Sequence, residues 1–405
     1  MKILRNVIVL LVLLGLIALI KQLLLSKDAD SLVFYFNLLT CLQLFFLGNM
    51  ILWLILSGIK WFFKKKFFSF SATVIASVGL LAIGEIICIN LMNDAGKVKG
   101  QLHYYLEEYY MTYERQVPEV RTDCAVYDSV LLYTYRPNTF CIQENAEFKD
   151  TLTMNSLGLR DDENSLLAPE IICLGDSYTM GWGVKQNESY PQQLEKLTGM
   201  KVLNAGISSY GTAREFMLLK RLDTSNLKLI IIQYCVNDIK ENEKFLQNNF
   251  QLPISTREQY EESVRKHKWA TKYYPFKKIL TLTRIILKDK KNLWFNKEHS
   301  AEQAEVLKNY DRNTSYITKA AGQFIKILSS AKINVPVFVI DVNRYPLFDH
   351  HFIEEAKKPG LPNVDFLDIS RLNNSQYYYP LDGHLNAKGH AELGKLIYQR
   401  MLPKN

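Results

Sequence analysis

Ile171-Ile172-Cys173-Leu174-Gly175-Asp176-Ser177-Tyr178 decides how this chain is read: an apolar run leads directly into a Gly-Asp-Ser turn. A short unbroken apolar run is what a strand buried on both faces of a parallel sheet requires. The turn that ends it sets a hydroxyl at the carboxyl end of the strand, where open α/β sheets place their sites. A serine hydroxyl alone is a weak nucleophile, so this reading requires a base within hydrogen-bond reach and a third group to hold the base. Near the other end of the chain, Pro380-Leu381-Asp382-Gly383-His384-Leu385-Asn386 offers both. Asp382, two residues before His384, can orient the imidazole from within one loop and leave its other nitrogen to face Ser177.

Working outward, further short apolar runs appear at Lys201 to Leu203, Leu227 to Tyr234, Val335 to Val342 and Val364 to Leu367. Between them lie segments with helical spacing: Tyr190 to Leu197, Ala213 to Leu222, Ala301 to Ala331 and Ala387 to Met401. Strands alternating with helices build a parallel sheet covered on both faces. The stretch from Lys240 to about Ser300 breaks the rhythm, is rich in aromatics and lysine, and is too long for a simple connection. It reads as an insertion that covers or borders the site. Two strand ends supply candidates for meeting the negative charge that develops on an attacked carbonyl oxygen. Asn204-Ala205-Gly206 brings a backbone N–H, and Cys235-Val236-Asn237-Asp238 brings a side-chain amide.

Taken in order, Gly175-Asp176-Ser177, Gly206, Asn237-Asp238 and Asp382 with His384 resemble the four blocks of the SGNH/GDSL hydrolase superfamily. The resemblance runs from about residue 150 to 403 and includes the lead-in Met154-Asn155-Ser156-Leu157-Gly158-Leu159-Arg160. It implies a flavodoxin-like three-layer α/β hydrolase domain with a parallel sheet. Ser177 is then the nucleophile, His384 the general base and later acid, and Asp382 its orienter. The N–H groups of Ser177 and Gly206 and the amide of Asn237 form the oxyanion hole, each such donor being worth on the order of 3 kcal/mol in the transition state. Two departures stand out: Cys235 occupies a position where the family carries glycine, and one residue separates Asp382 from His384 where many members have two. Asp349-His350-His351 has metal-ligand residue types, but adjacent side chains diverge and no further ligand spacing accompanies them. No cofactor and no metal are expected.

The first hundred residues read differently. Asn6 to Ile20, Ser31 to Ile59 and Phe67 to Gly84 are free of charge, the last continuing past Glu85 to about Met92. Each approaches the roughly 20 apolar residues that cross a bilayer, so three transmembrane helices are expected before the hydrolase domain. The first run also resembles a signal peptide, but no small-x-small cleavage site follows it. Lys2 and Arg5, and then Lys60, Lys64, Lys65 and Lys66, put the N-terminus and the second loop in the cytoplasm by the positive-inside rule. Everything after about Asn93 then lies outside the cytoplasm, with Glu85 as an interfacial residue at the outer end of the third span. In that compartment Cys124 and Cys141 are disulfide candidates, whereas Cys173 and Cys235, at strand ends, read as buried thiols. The expected domains are a membrane region (1–93), a Tyr-rich juxtamembrane segment (94–165) and the hydrolase domain (166–405) with its insertion at about 240–300.

The chain has 405 residues and a formal charge of +8, which at first suggests nucleic acid. Residues 1–99 alone account for +6, so no basic patch remains outside the membrane region to bind one. The resulting expectation is a multi-pass protein of the inner or plasma membrane whose extracytoplasmic serine esterase acts on an ester-linked acyl group of a cell-surface glycan or lipid. A second expectation keeps the same residues but makes the protein an O-acyltransferase working with a membrane acyl-donor protein, because three spans are too few to carry acyl groups across a bilayer unaided.

Overall fold

The computed structural model describes residues 47–51, 53, 55, 70–235, 238–253, 255–295, 314–342 and 350–402. They fall into two compact units, Met1–Glu114 with Glu262–Lys291, and Arg115–Glu261 with Asn292–Asn405. In chain order come α1 (Phe70–Asn93) and α2 (Gln101–Tyr113), then β1 (Ala125–Asp128), β2 (Leu132–Tyr135), β3 (Phe140–Glu144) and β4 (Lys149–Thr153). The sheet follows with β5 (Ile171–Gly175), α3 (Ser177–Met180), α4 (Tyr190–Thr198), β6 (Val202–Gly206), α5 (Thr212–Leu219), β7 (Leu229–Tyr234) and α6 (Asp238–Gln247). The chain ends with α7 (Arg257–Thr271), α8 (Lys277–Phe295), α9 (Thr314–Ser330), β8 (Val337–Asp341), α10 (His350–Lys357), β9 (Val364–Phe366) and α11 (Ala387–Met401).

The second unit is built on a five-stranded sheet, order β6-β5-β7-β8-β9, with every pair parallel. Numbered within the sheet this is 2-1-3-4-5, the flavodoxin-like order, whose direction reverses at its first strand. β5 is that strand, and the crevice at the reversal opens beside Ser177. All residues of β5, β6 and β7 are buried, which explains their mainly apolar character, Asn204 and Gln233 being buried polar exceptions that bond within the site. Alternate side chains serve opposite faces. Leu229 and Ile231 join Ile171, Cys173, Leu194, Leu393 and Ile397 in a core beneath α4 and α11. Tyr234, on the other face, packs its ring on Phe324 of α9 and Phe352 of α10. The α/β reading with a parallel sheet therefore holds: β7, β8 and β9 lie within the apolar runs that marked them, while β6 runs past Leu203 through Asn204 to Gly206.

Ahead of the sheet stand two antiparallel hairpins, β1–β2 and β3–β4, tied by a disulfide between Cys124 and Cys141, the pair singled out in the sequence. On a chain-entropy argument a bridge closing a loop of this size contributes about 3 kcal/mol.

Of the three expected spans, the first lies outside the described residues. The second is described only at residues 47–51, 53 and 55, which are helical. The third corresponds to α1. Among the described residues one helix, Thr73–Asn93, is long and apolar enough to cross a membrane. Its apolar side chains are largely uncovered, Ile75 being 71% and Leu80 66% exposed.

α11 seats on α4 through a buried histidine. His390 is fully enclosed, and its Nδ1 accepts the backbone N–H of Tyr190 at 3.2 Å. Burial holds its imidazole down from 6.5 to about 3. An unfolded chain takes up that proton near 6.5 and the folded chain only near 3, so stability is lost as pH falls between those values. The slope reaches about 1.4 kcal/mol per pH unit at most. His390→Gln is expected to flatten this loss, read as the difference in urea midpoint between about pH 7 and about pH 4.5, by tryptophan fluorescence.

Candidate active site

The site starts from the turn after β5. Gly175 is required there because a Cβ would come within 2.1 Å of Thr179 Oγ1 and 2.7 Å of Gln233 Oε1. Asp176 caps α3, its side chain accepting the Tyr178 N–H at 3.0 Å, while its own N–H donates to Gln233 Oε1 at 3.0 Å. Ser177 is thus the first residue of a short helix, and an N–H in that position has no partner within the helix.

The last loop of the domain delivers the histidine. Ser177 Oγ and His384 Nε2 are 2.7 Å apart, and His384 Nδ1 meets Asp382 Oδ1. All three residues are buried. The loop closes on itself, Tyr379 N–H donating to the His384 carbonyl and Gly383 N–H to the Tyr379 carbonyl. The imidazole lies against two rings, Tyr178 at 4.5 Å and Trp182 at 5.3 Å between centroids. Tyr178 also donates from its hydroxyl to the Gly383 carbonyl at 3.1 Å, tying the nucleophile helix to the base loop. A hydroxyl bonded to an imidazole whose other nitrogen is held by a carboxylate has the geometry of an activated nucleophile.

The sequence around these residues matches the GDSL-like Lipase/Acylhydrolase family over residues 173–392, more than half of the chain. The chain belongs to this family. No match is found among curated proteins. Among solved structures, a protein named for the G-D-S-L lipolytic family from Desulfitobacterium hafniense DCB-2 is 12% identical, over 56% of this chain and 97% of its own length, with a TM-score of 0.29. A GDSL-like lipase from Bacteroides ovatus ATCC 8483 is 14% identical over 56% of this chain and 50% of its own, with a TM-score of 0.30. The lipase Lip_vut3 from a goat rumen metagenome is 14% identical over 57% and 96%, with a TM-score of 0.31. As a GDSL-like acylhydrolase the protein is a hydrolase of ester bonds.

The remaining residues expected at this GDSL site divide. Asn237 lies outside the described residues. Gly206 ends β6 beside Gly175, but its N–H donates to Asn204 Oδ1 at 3.0 Å. A Cβ on Gly206 would come within 2.3 Å of the Met180 backbone nitrogen, so the glycine lets α3 sit close against the sheet. The loop that follows is braced by the first hairpin. Tyr133 donates to the Ser208 carbonyl at 2.6 Å, and Tyr135 accepts the Ser208 N–H at 3.1 Å.

Several supporting residues went unnoticed in the sequence. Arg115 Nε stands 3.4 Å from the second oxygen of Asp382, and its guanidinium lies 4.4 Å from the centre of the Trp182 ring, the ring that also faces His384. Glu147 accepts the N–H of Leu381 and of Asp382, at 3.0 and 2.8 Å. Arg160, from the lead-in segment, is fully buried and donates to the carbonyls of Gly181 and Val184, just beyond α3, and to Asp150 at 2.8 Å. Burial pushes Asp150 up to about 6 even with Arg160 beside it.

Arg115 faces a carboxylate whose side chain is wholly enclosed, and removing one partner of such a pair leaves an uncompensated charge. Arg115→Leu is expected to lower kcat by about ten-fold or more while KM changes little, since the substrate is not what Arg115 touches. Steady-state kinetics on a soluble ester, with thermal unfolding in parallel, checks this.

Proposed function

We propose that the protein is a membrane-tethered serine esterase facing away from the cytoplasm, which removes an ester-linked acyl group from a cell-surface glycan or lipid through an acyl-enzyme. The observation that carries this reading is the 2.7 Å approach of Ser177 Oγ to His384 Nε2, with Asp382 on the other ring nitrogen. In this scheme Ser177 Oγ attacks the acyl carbonyl as its proton passes to His384 Nε2. Asp382 accepts from Nδ1–H and stabilises the imidazolium. The imidazolium returns its proton to the leaving alcohol, and water repeats the sequence on the acyl-serine. The negative oxygen takes the Ser177 N–H at the start of α3 and the Gly206 N–H once this is shared between Asn204 and the oxyanion, and the family resemblance assigns Asn237 as the third donor.

Two features support the location. Disulfides such as Cys124–Cys141 persist in oxidising compartments outside the cytoplasm. The uncovered apolar side chains of α1 suit hydrocarbon and not water. A tether of this kind limits the substrate to esters at the membrane or the cell surface within reach of it.

The test is hydrolysis of 4-nitrophenyl esters from acetyl to octanoyl by the full chain in detergent, together with labelling by a fluorophosphonate. Wild type is expected to turn over at least one ester and to gain one adduct on Ser177, and Ser177→Ala is expected to lose at least about four orders of magnitude in kcat/KM. A wild type that neither turns over any ester nor takes the label overturns the hydrolase scheme. A wild type that takes the label but transfers acyl groups only to an added sugar acceptor replaces the esterase with an O-acyltransferase working beside a membrane acyl donor.

A further inference from the structure

The expectation that no basic patch remains outside residues 1–99 does not hold, because the near-neutral sum of the rest of the chain hides a second concentration of charge. Residues 262–291 hold ten Lys and Arg against two acids, Glu262 and Asp289, for a net of +8. That equals the excess of the whole chain, while the second unit sums to −3. This segment belongs to the first unit, with the apolar helix α1. Arg265, Lys268, Lys272, Arg284 and Lys288 are exposed.

Its height against α1 is fixed by hydrogen bonds. The Glu85 carboxylate accepts the N–H of Ile279 at 2.8 Å and of Lys278 at 3.2 Å, capping the N-terminus of α8. A Cβ on Gly84 would meet Ile279 at 3.1 Å. Further along α8, Asp289 accepts the Tyr105 hydroxyl at 2.7 Å. Tyr105 stands near the start of α2, where His103 reaches the carbonyl of Ala95, just past the end of α1. α8 therefore runs in the same direction as α1, and the turn that precedes it, residues 272–276, is level with Glu85. From Glu85 back to Phe67 the sequence carries no charge. Eighteen helical residues span about 27 Å, close to the roughly 30 Å of a bilayer's hydrocarbon. The turn thus falls at the membrane–water boundary, and it carries what such boundaries select: Trp269, Tyr273 and Tyr274 beside Lys272, with Tyr273 75% exposed. Aromatic rings settle among headgroups, and clustered lysine and arginine add attraction to anionic lipid.

We propose that the α7–α8 hairpin is a headgroup-binding edge, its 269–276 tip seated in the boundary of the outer leaflet and its basic flanks on anionic phospholipid. This rests on the reading of α1 as a membrane span. The test uses the full chain in vesicles of phosphatidylcholine alone or with roughly one-third phosphatidylglycerol, followed by amide hydrogen exchange. Amides of 269–276 are expected to exchange at least about five-fold more slowly with phosphatidylglycerol. That protection is expected to disappear at high salt, and in a variant carrying Arg265→Gln, Lys268→Gln, Lys272→Gln and Arg284→Gln. Equal exchange in the two lipids overturns the proposal, as does protection that survives in the variant. Protection by soluble polyphosphate in neutral vesicles, without a response to phosphatidylglycerol, makes the partner an anionic polymer and overturns it too. Flotation at alkaline pH reports the span separately. A chain extracted from the vesicles removes the spanning reading and this one with it, whereas a chain that floats but ignores lipid charge removes this one alone.

Discussion

Ser177 and His384 are 207 positions apart in sequence and 2.7 Å apart in space, and the fold is organised around that contact. A parallel sheet delivers the carboxyl ends of all its strands to one edge, but only the strand where the order reverses opens a crevice there. β5 is that strand, flanked by β6 and β7. The last loop reaches the same edge because α11, which follows it, packs back on α4. His384 therefore enters from the end of the chain onto a serine set by its first sheet strand. Gly175 and Gly206 share a register position on neighbouring strands, and both must lack a Cβ for α3 to lie so close.

Burial of the relay creates a second constraint, because an ionised carboxylate away from water must be compensated. Asp382 is compensated from two directions, His384 on one oxygen and Arg115 near the other, while Glu147 holds the backbone of its loop. The last contact fixes where the carboxylate points without touching it. Arg160 does the same for the turn beyond Ser177, gathering the buried carbonyls of Gly181 and Val184 just past α3. The imidazole thus needs no search for its geometry: its two neighbours are each held by a residue from the segment ahead of the sheet.

That distribution explains what the sequence made legible. Ser177, Asp382 and His384 sit on turns that local chemistry specifies, so residue types and order sufficed to bring them together. β5 to β8 are short, mainly apolar and largely buried, a pattern visible without partners, and β9 is a half-buried strand at the sheet edge. Arg115, Glu147 and Arg160 act only through contacts with residues far away in the chain, and a single Arg or Glu carries no local mark of such a role. β3 was missed for a different reason. Phe140 and Ile142 are exposed at 66% and 48% while Cys141 between them is buried, so apolar residues on both faces erase the alternation that identifies a strand. Glu85 read as an interfacial carboxylate, but its partners, the free N–H groups of α8, lie nearly two hundred residues away. The insertion was recognised by its broken rhythm, and residues 262–291 of it group with α1 and α2, to which the Glu85 cap ties them.

Charge and chemistry are therefore divided between the two units. An enzyme that diffuses freely gains encounter rate from a charged site that draws in its substrate. A tethered enzyme has no need of this, since confinement to a surface already raises the effective concentration of anything bound there. The unit holding Ser177 can remain close to neutral, with its charges spent on internal pairs such as Arg160–Asp150 and Arg115–Asp382. The excess of lysine and arginine collects in a segment held to α1 by backbone hydrogen bonds to Glu85, which salt does not screen as it screens exposed pairs. Substrate choice in such an arrangement depends on reach and pocket shape.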